Sequence, residues 1–173
     1  VVLKAFKEND PDRNNIDDTY GLCTEDTLST VDFIFSAFGC PVTPNIAENW
    51  VPDGNGKLTS GLLSPGMKEA IVYLNKLYRE GILDQEWMLV KSQAWQDKIL
   101  SGKVGFVSTS FQQMISFTES KIKVNDPACE LEVVDGIKGP GGIFARPLQK
   151  GFYMVSSISK DVTRPEKILE FMD

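Results

Sequence analysis

Apolar positions recur at helical spacing in several stretches of the chain, with short extended apolar runs between them. The clearest stripe is Met67, Ala70, Ile71, Leu74, Leu77 and Tyr78. Ser64 at the N-cap and Pro65 in the first turn open that helix, and Gly81 closes it. Leu28, Val31, Ile34, Phe35 and Phe38 predict a second helix over 25–39 with Gly39 as its stop. Val2, Leu3 and Phe6 give residues 1–8 the face of a helix end. Further helices are predicted over 92–100, capped by Ser92 and ended by Gly102, over 111–122, and from the Thr163-Arg-Pro-Glu166 capping box to Asp173.

Between these lie strand candidates at 20–24, 104–107, 131–134 and 152–155. Trp50-Val51 and Lys57-Leu58-Thr59 flank Pro52-Asp53-Gly54-Asn55-Gly56, which reads as a β-hairpin. Residues 40–47 form a Pro-rich connection, and 136–142 a Gly/Pro-rich loop.

At 173 residues, 42% hydrophobic and 24% charged, the chain can bury a core without disulfides. It fits one domain, or one lobe of a larger protein plus a piece of another. A net charge of −6 without any Lys/Arg cluster argues against nucleic acid as a partner. No apolar run approaches the roughly 20 residues of a membrane span. The chain starts at Val1 in what reads as mid-helix, so a processed protein is expected and the lack of a signal peptide excludes nothing. The three cysteines, Cys23, Cys40 and Cys129, are widely spaced with no CxxC pair, and Cys23 and Cys40 read as small buried residues. The absence of His removes Ser-His-Asp triads, Cys-His dyads and most zinc sites.

Chemistry concentrates in Asp10-Pro-Asp12-Arg-Asn14-Asn15-Ile16-Asp17-Asp18, which places oxygen ligands at alternate positions, as hard cations such as Ca²⁺ require. Asp10, Asp12 and Asn14 take the first, third and fifth positions of an EF-hand-type loop; the Ile16 carbonyl takes the seventh and Asp18 the ninth. Asn15 stands where Gly makes the sharp turn, and Asn tolerates a positive φ. The twelfth position is Gly21 instead of Glu, and a strand follows instead of a helix. The same side chains also suit a solvated turn, since Asp and Asn bond their own backbone.

Phe6-Lys-Glu-Asn-Asp10 through Asp18, Tyr20-Gly-Leu22, Phe38-Gly39, Trp50-Val51, Lys76 through Asp84, Ile99 through Phe106, Ser156 through Lys160 and Pro165 through Ile168 occur in an order that resembles one family. These are the family 1 extracellular solute-binding proteins of bacterial carbohydrate ABC transporters, of the Lpl and alginate-binding lipoprotein type. The resemblance implies an α/β, periplasmic-binding-protein-like type II fold. It makes residues 1–148 the second lobe and 149–173 the crossover strand and helix of the first, so the chain is expected to be a fragment. It also implies a structural calcium held by Asp10, Asp12, Asn14, the Ile16 carbonyl and Asp18. The family's Glu after the last Asp is Thr19 here, and Asp17 lies one residue out of phase.

The implied function is non-catalytic capture of a carbohydrate between two lobes for ABC permease subunits. The implied location is extracellular, as a Gram-positive cell-surface lipoprotein or in a periplasm, with membrane contact only through a lipid anchor on an N-terminal segment outside this chain. Sugar sites combine aromatic faces with planar polar groups. Ser108, Ser110, Phe111 and Gln112, after a strand and opening a helix, are the first candidates, and the resemblance points to the same segment. Thr24 occupies an equivalent place after the first strand, and Trp50 and Trp95 offer rings for stacking. For each the plain reading is structural: a cap for the hydroxyls, packing for the rings. Two other functions fit parts of the sequence. A glycosidase would need a carboxylate pair, for which Glu25, Asp26 and Glu86 are available but selected by no motif. A calcium-dependent interaction module would use the acidic loop alone.

Overall fold

The computed structural model describes residues 2–11, 14–40, 50–114, 121–125, 127–134, 136–142 and 157–172, without the side chains of Ser29, Phe111, Gln112, Leu169 and Met172. The elements are α1 (Val2–Glu8), β1 (Tyr20–Leu22), a 3₁₀ turn (Ser29–Val31), α2 (Asp32–Ala37), β2 (Trp50–Pro52), β3 (Leu58–Ser60), α3 (Pro65–Arg79), α4 (Ser92–Leu100), β4 (Val104–Phe106), α5 (Phe111–Met114), α6 (Lys123–Asn125) and α7 (Pro165–Met172).

β1 is the centre of the parallel sheet. It pairs with β4 in the register Tyr20↔Val104 and Leu22↔Phe106. On its other side it meets Leu83, with the Leu22 amide donating to Ile82 O and the Asp84 amide to Leu22 O, both at 3.0 Å. β2 and β3 form a separate antiparallel hairpin, Trp50↔Ser60 through Pro52↔Leu58. Asp53 closes that hairpin by accepting from the Asn55 and Lys57 amides, as the Asp-Gly-Asn-Gly turn predicts.

Two apolar clusters flank the extended chain at β1. Leu22 joins Val31, Ile34 and Phe35 with the α3 residues Met67, Ala70, Leu74 and Leu77. Cys23, the next residue, joins Val90, Ile122 and the α4 residues Trp95 and Ile99. Opposite pointing of successive side chains is what an extended backbone dictates. α1 lies directly against the sheet because β1 and β4 each carry a glycine there. A Cβ on Gly21 would stand 2.2 Å from the Leu3 carbonyl oxygen, and one on Gly105 would stand 2.0 Å from the Phe6 ring.

Several expectations need correction. The apolar period over 25–39 yields a helix only from Asp32. Leu28 sits at φ 57, and the Asp26 amide is drawn to Val90 O at 3.0 Å, so tertiary hydrogen bonding overrides the local period. Ile71 of the predicted α3 stripe is solvent-facing at 53% exposure. Ser64 holds the cap position of α3 without a side-chain cap bond, and the cap position of α4 is Lys91, with Ser92 already helical. Residues 131–134 are irregular and exposed, with no ladder partner among the described residues. The strand expected over 152–155 lies outside the described residues, as do 115–120 of the predicted 111–122 helix.

Candidate functional site

The loop from α1 to β1 is wound by its own side chains. Asp10 accepts from the Asn14 and Asn15 amides at 3.2 and 2.9 Å, and the Asn14 amide oxygen accepts from Ile16 N at 2.6 Å. Asn14 Nδ2 donates to Asp18 at 3.2 Å, and Asp18 N to the Ile16 carbonyl at 3.0 Å. Asn15 takes φ 61, the conformation its place in the loop required. The structure therefore gathers Asp10, Asn14, Ile16 and Asp18; Asp12 lies outside the described residues.

Does this donor set fit a hard cation? Asp10 is engaged by two backbone amides of the loop. All the described ligands are oxygens, as Ca²⁺ prefers. Two lysines compete for the loop. Lys103 Nζ lies 2.6 Å from Asp18 Oδ2, and Lys7 pairs with Asp17. Hydrogen bonds from Lys103 and Asn14 hold the Asp18 carboxyl below its ordinary range. Thr19, at the position where the resemblance expects Glu, turns away from the loop: it is 2% exposed and donates to the Phe6 carbonyl at 2.9 Å. It fastens the loop to α1. The set fits a cation only if Lys103 gives way at Asp18.

The second polar centre lies at the carboxyl ends of the parallel strands, where open α/β sheets form their clefts. Thr24 follows β1 and is fully buried. It accepts from Thr30 Oγ1 at 2.8 Å and donates to the Glu25 carbonyl at 3.2 Å. Ser108 follows β4 and hydrogen-bonds the carboxylate of Asp32, which also accepts from the Phe33 amide at 2.8 Å. Burial raises the Asp32 pKa against these hydrogen bonds. Ser110 accepts from Gln113 N at 3.2 Å, so it caps the short α5. Phe111 and Gln112 open α5, but their side chains lie outside the described set.

The two tryptophans part company. Trp50 is 64% exposed on the separate hairpin, with its ring available to solvent. Trp95 is 3% exposed, and its indole N–H donates to the Cys23 carbonyl at 3.3 Å. The structure thus gives Trp95 the packing role and leaves no open face for a sugar ring.

Sequence reasoning missed Asp84. It is wholly buried at the end of the strand beside β1. Its oxygens accept from Lys98 Nζ at 2.6 Å, the Glu86 amide at 3.0 Å and the Cys23 thiol at 3.2 Å. Burial and the Asp84 hydrogen bond push the Cys23 thiol up to about 12, so it carries no thiolate chemistry. Lys98 also reaches Glu86, and it shares the Tyr20 ring with Lys7, at 5.4 and 5.8 Å from the centroid. Asp26 pairs with Lys91. A carboxylate directly after Ile82-Leu83 was the available signal for Asp84, and Asp32 between Val31 and Phe33 was the signal for the other.

The fold is that of the ABC-transporter substrate-binding proteins. Two solved structures of such a protein from S. pneumoniae, FusA in complex with kestose and its EF-hand mutant in complex with fructo-nystose, align with TM-scores of 0.63 and 0.61. Each is 20% identical and covers 85% of this chain and 28% of that one. In sequence, the chain is similar to the lipoprotein LipO of Bacillus subtilis, 29% identical over 99% of this chain and 35% of the relative. It is also similar to the polygalacturonan/rhamnogalacturonan-binding protein YtcQ of the same organism, 27% identical over 99% and 34%. The resemblance read from the ordered sequence phrases is borne out by these relatives. The chain spans about a third of the length of both. No protein-family model matches it.

Proposed function

We propose that this chain is part of the extracellular receptor of a carbohydrate ABC importer, a protein that binds its sugar and does not transform it. The observation that carries this reading is the match along 99% of the chain to a protein named for binding polygalacturonan and rhamnogalacturonan. The polar groups near the strand ends that are not fully buried, Thr30, Asp32 and Ser108, supply the hydrogen-bonding chemistry. In this reading residues 1–148 form one lobe and 149–173 cross to another, and sugar capture closes two lobes about a hinge. The permease subunits are the downstream partners. A lipid anchor on a preceding segment holds the receptor at the cell surface, as the name of the lipoprotein relative supports. Of the carboxylates available to a glycosidase, Asp26 is paired with Lys91 and Glu86 with Lys98.

Thermal unfolding of the full-length receptor that contains this chain, with a panel of oligosaccharides, tests this reading. A bound sugar at 100 times its Kd adds about 2.7 kcal/mol, which is visible as a rise in Tm. Hydrolysis of any panel member, or an unmoved Tm across the panel at millimolar sugar, overturns it.

The acidic loop is proposed to hold a structural Ca²⁺ through Asp10, Asp12, Asn14, the Ile16 carbonyl and Asp18. The ion would neutralise the loop and stiffen the join between α1 and β1. Because Lys103 occupies Asp18, Lys103→Met is expected to tighten calcium binding by about three- to fivefold, the scale of an exposed ion pair. Calcium titration by calorimetry reads this directly. An unchanged or weaker affinity in Lys103→Met would remove Lys103 as the competitor.

A further inference from the structure

The loop over 136–142 lies against α2 and walls one side of an apolar pocket of about 260 Å³. Leu3 of α1, Phe33 of α2, Phe38 just after it and Tyr73 of α3 line the pocket, with Ile137 and Lys138 of the loop. The loop is seated by backbone contact. A Cβ on Gly139 would stand 1.6 Å from the Ala37 carbonyl oxygen, so glycine alone lets the wall come this near. The rings are held as well. Phe38 packs against Tyr73 with centroids 5.6 Å apart, and Phe33 against Phe106 at 5.0 Å, both pairs tilted. Yet Tyr73 and Ile137 remain 37% and 39% exposed, so the pocket is formed but open.

The lining sets the ligand class. A sugar ring carries hydroxyls in every direction, and the polar side chains here are the Tyr73 hydroxyl and the Lys138 ammonium. Three aromatic rings with Leu3 and Ile137 suit a flat apolar body instead. The one charged side chain of the described lining, the exposed Lys138, suits a negative group on that body. Size bounds the rest. An apolar cavity of roughly 150 Å³ takes up benzene, so this pocket has room for one ring and a short chain.

We propose that this pocket is a second ligand site, for a one-ring aromatic carboxylate whose ring lies among Phe33, Phe38 and Tyr73 and whose carboxylate pairs with Lys138. Thr30, Asp32 and Ser108 do not line it, so the site is distinct from the strand-end groups and does not rest on the carbohydrate reading.

Calorimetric titration of the full-length receptor that contains this chain, with cinnamate and with the neutral cinnamamide, is the test. Cinnamate is expected to bind with a Kd of about 1 mM or below and about three- to fivefold more tightly than cinnamamide, the scale of one exposed ion pair. Lys138→Met is expected to abolish that difference while leaving cinnamamide unchanged. Tyr73→Ser is expected to weaken both ligands alike, by about three- to tenfold, because it removes a wall and not the charge. The wild-type comparison decides the matter without any substitution, should a variant fold poorly. Cinnamamide binding as tightly as cinnamate overturns the inference, and so does a preference that survives in Lys138→Met. Absence of cinnamate binding also overturns it, and is the result expected if another part of the receptor fills the pocket. A rise in Tm with oligosaccharides reads the carbohydrate site separately, so the two readings fail independently.

Discussion

Replacing Gly21 with Ala is expected to destabilise the chain by about 3 kcal/mol, the upper part of the range for overpacking. The added methyl would stand 2.2 Å from the Leu3 carbonyl oxygen and 2.8 Å from an Ile82 methyl. A carbonyl cannot rotate aside as a side-chain end can, so α1 as a whole must lift from β1. That movement would also pull Phe6 from its seat over Gly105 and strain the Thr19 hydrogen bond to the Phe6 carbonyl. Urea unfolding should show a lower midpoint with an unchanged slope, since the same surface is exposed on unfolding. Gly105→Ala is expected to be costly as well, but through a side chain. In a Phe6→Ala background its effect should therefore shrink, and a double-mutant cycle reads that coupling. Full additivity of the two substitutions would contradict the packing described.

Lys98→Met is expected to cost about 3–5 kcal/mol, the scale of breaking a buried ion pair from one side. The substitution keeps most of the side chain's length and apolar contact. It leaves the Asp84 carboxylate with no water and no cation, satisfied only by the Glu86 amide and the Cys23 thiol. The same pair gives the wild-type chain an alkaline limit. Partial burial works against the Lys98 ammonium, but its hydrogen bond and charge interaction with Asp84 outweigh this and raise its pKa above the ordinary 10.5. A raised pKa stabilises the protonated form in the folded state. Its contribution is complete below 10.5 and is lost as pH rises through the higher folded value. Unfolding midpoints should therefore fall above that pH in the wild type and less steeply in Lys98→Met. Equal slopes in the two chains would contradict the role given to the pair.

Periodicity and punctuation located most elements. The Ser64-Pro65 opening and the Met67, Ala70, Leu74 and Leu77 stripe match α3, and the turn residues between Trp50 and Thr59 match the hairpin. These are local signals, carried by residues three or four apart or by a turn's own side chains. What escaped was set by distant partners. The start of α2 is decided by Asp26 bonding Val90, and the importance of Asp84 by Lys98 on another helix. In the candidate site, the loop spacing gave the oxygens but not the lysines that sit on them, because Lys7 and Lys103 come from α1 and from the residue before β4. Likewise, Ser108 was legible as a polar residue after a strand, whereas its tie to Asp32 depends on two strands lying side by side. Trp95 illustrates the opposite limit: helical spacing could not say that its ring faces Cys23.

The central place of β1 also bears on how the chain reaches its native state. Its partners, Leu83 on one side and β4 on the other, come from far along the chain, so its pairing with β4 cannot close until the chain has reached Phe106. Until Phe106 arrives, α1 has no second glycine to settle on and Phe6 has no seat. Pairings this distant in sequence make folding slow compared with helical bundles of similar size. During that delay the apolar face of α1 and the edges of β1 are open to other chains. In the extracellular receptor proposed above, such slowness would keep the chain threadable during export.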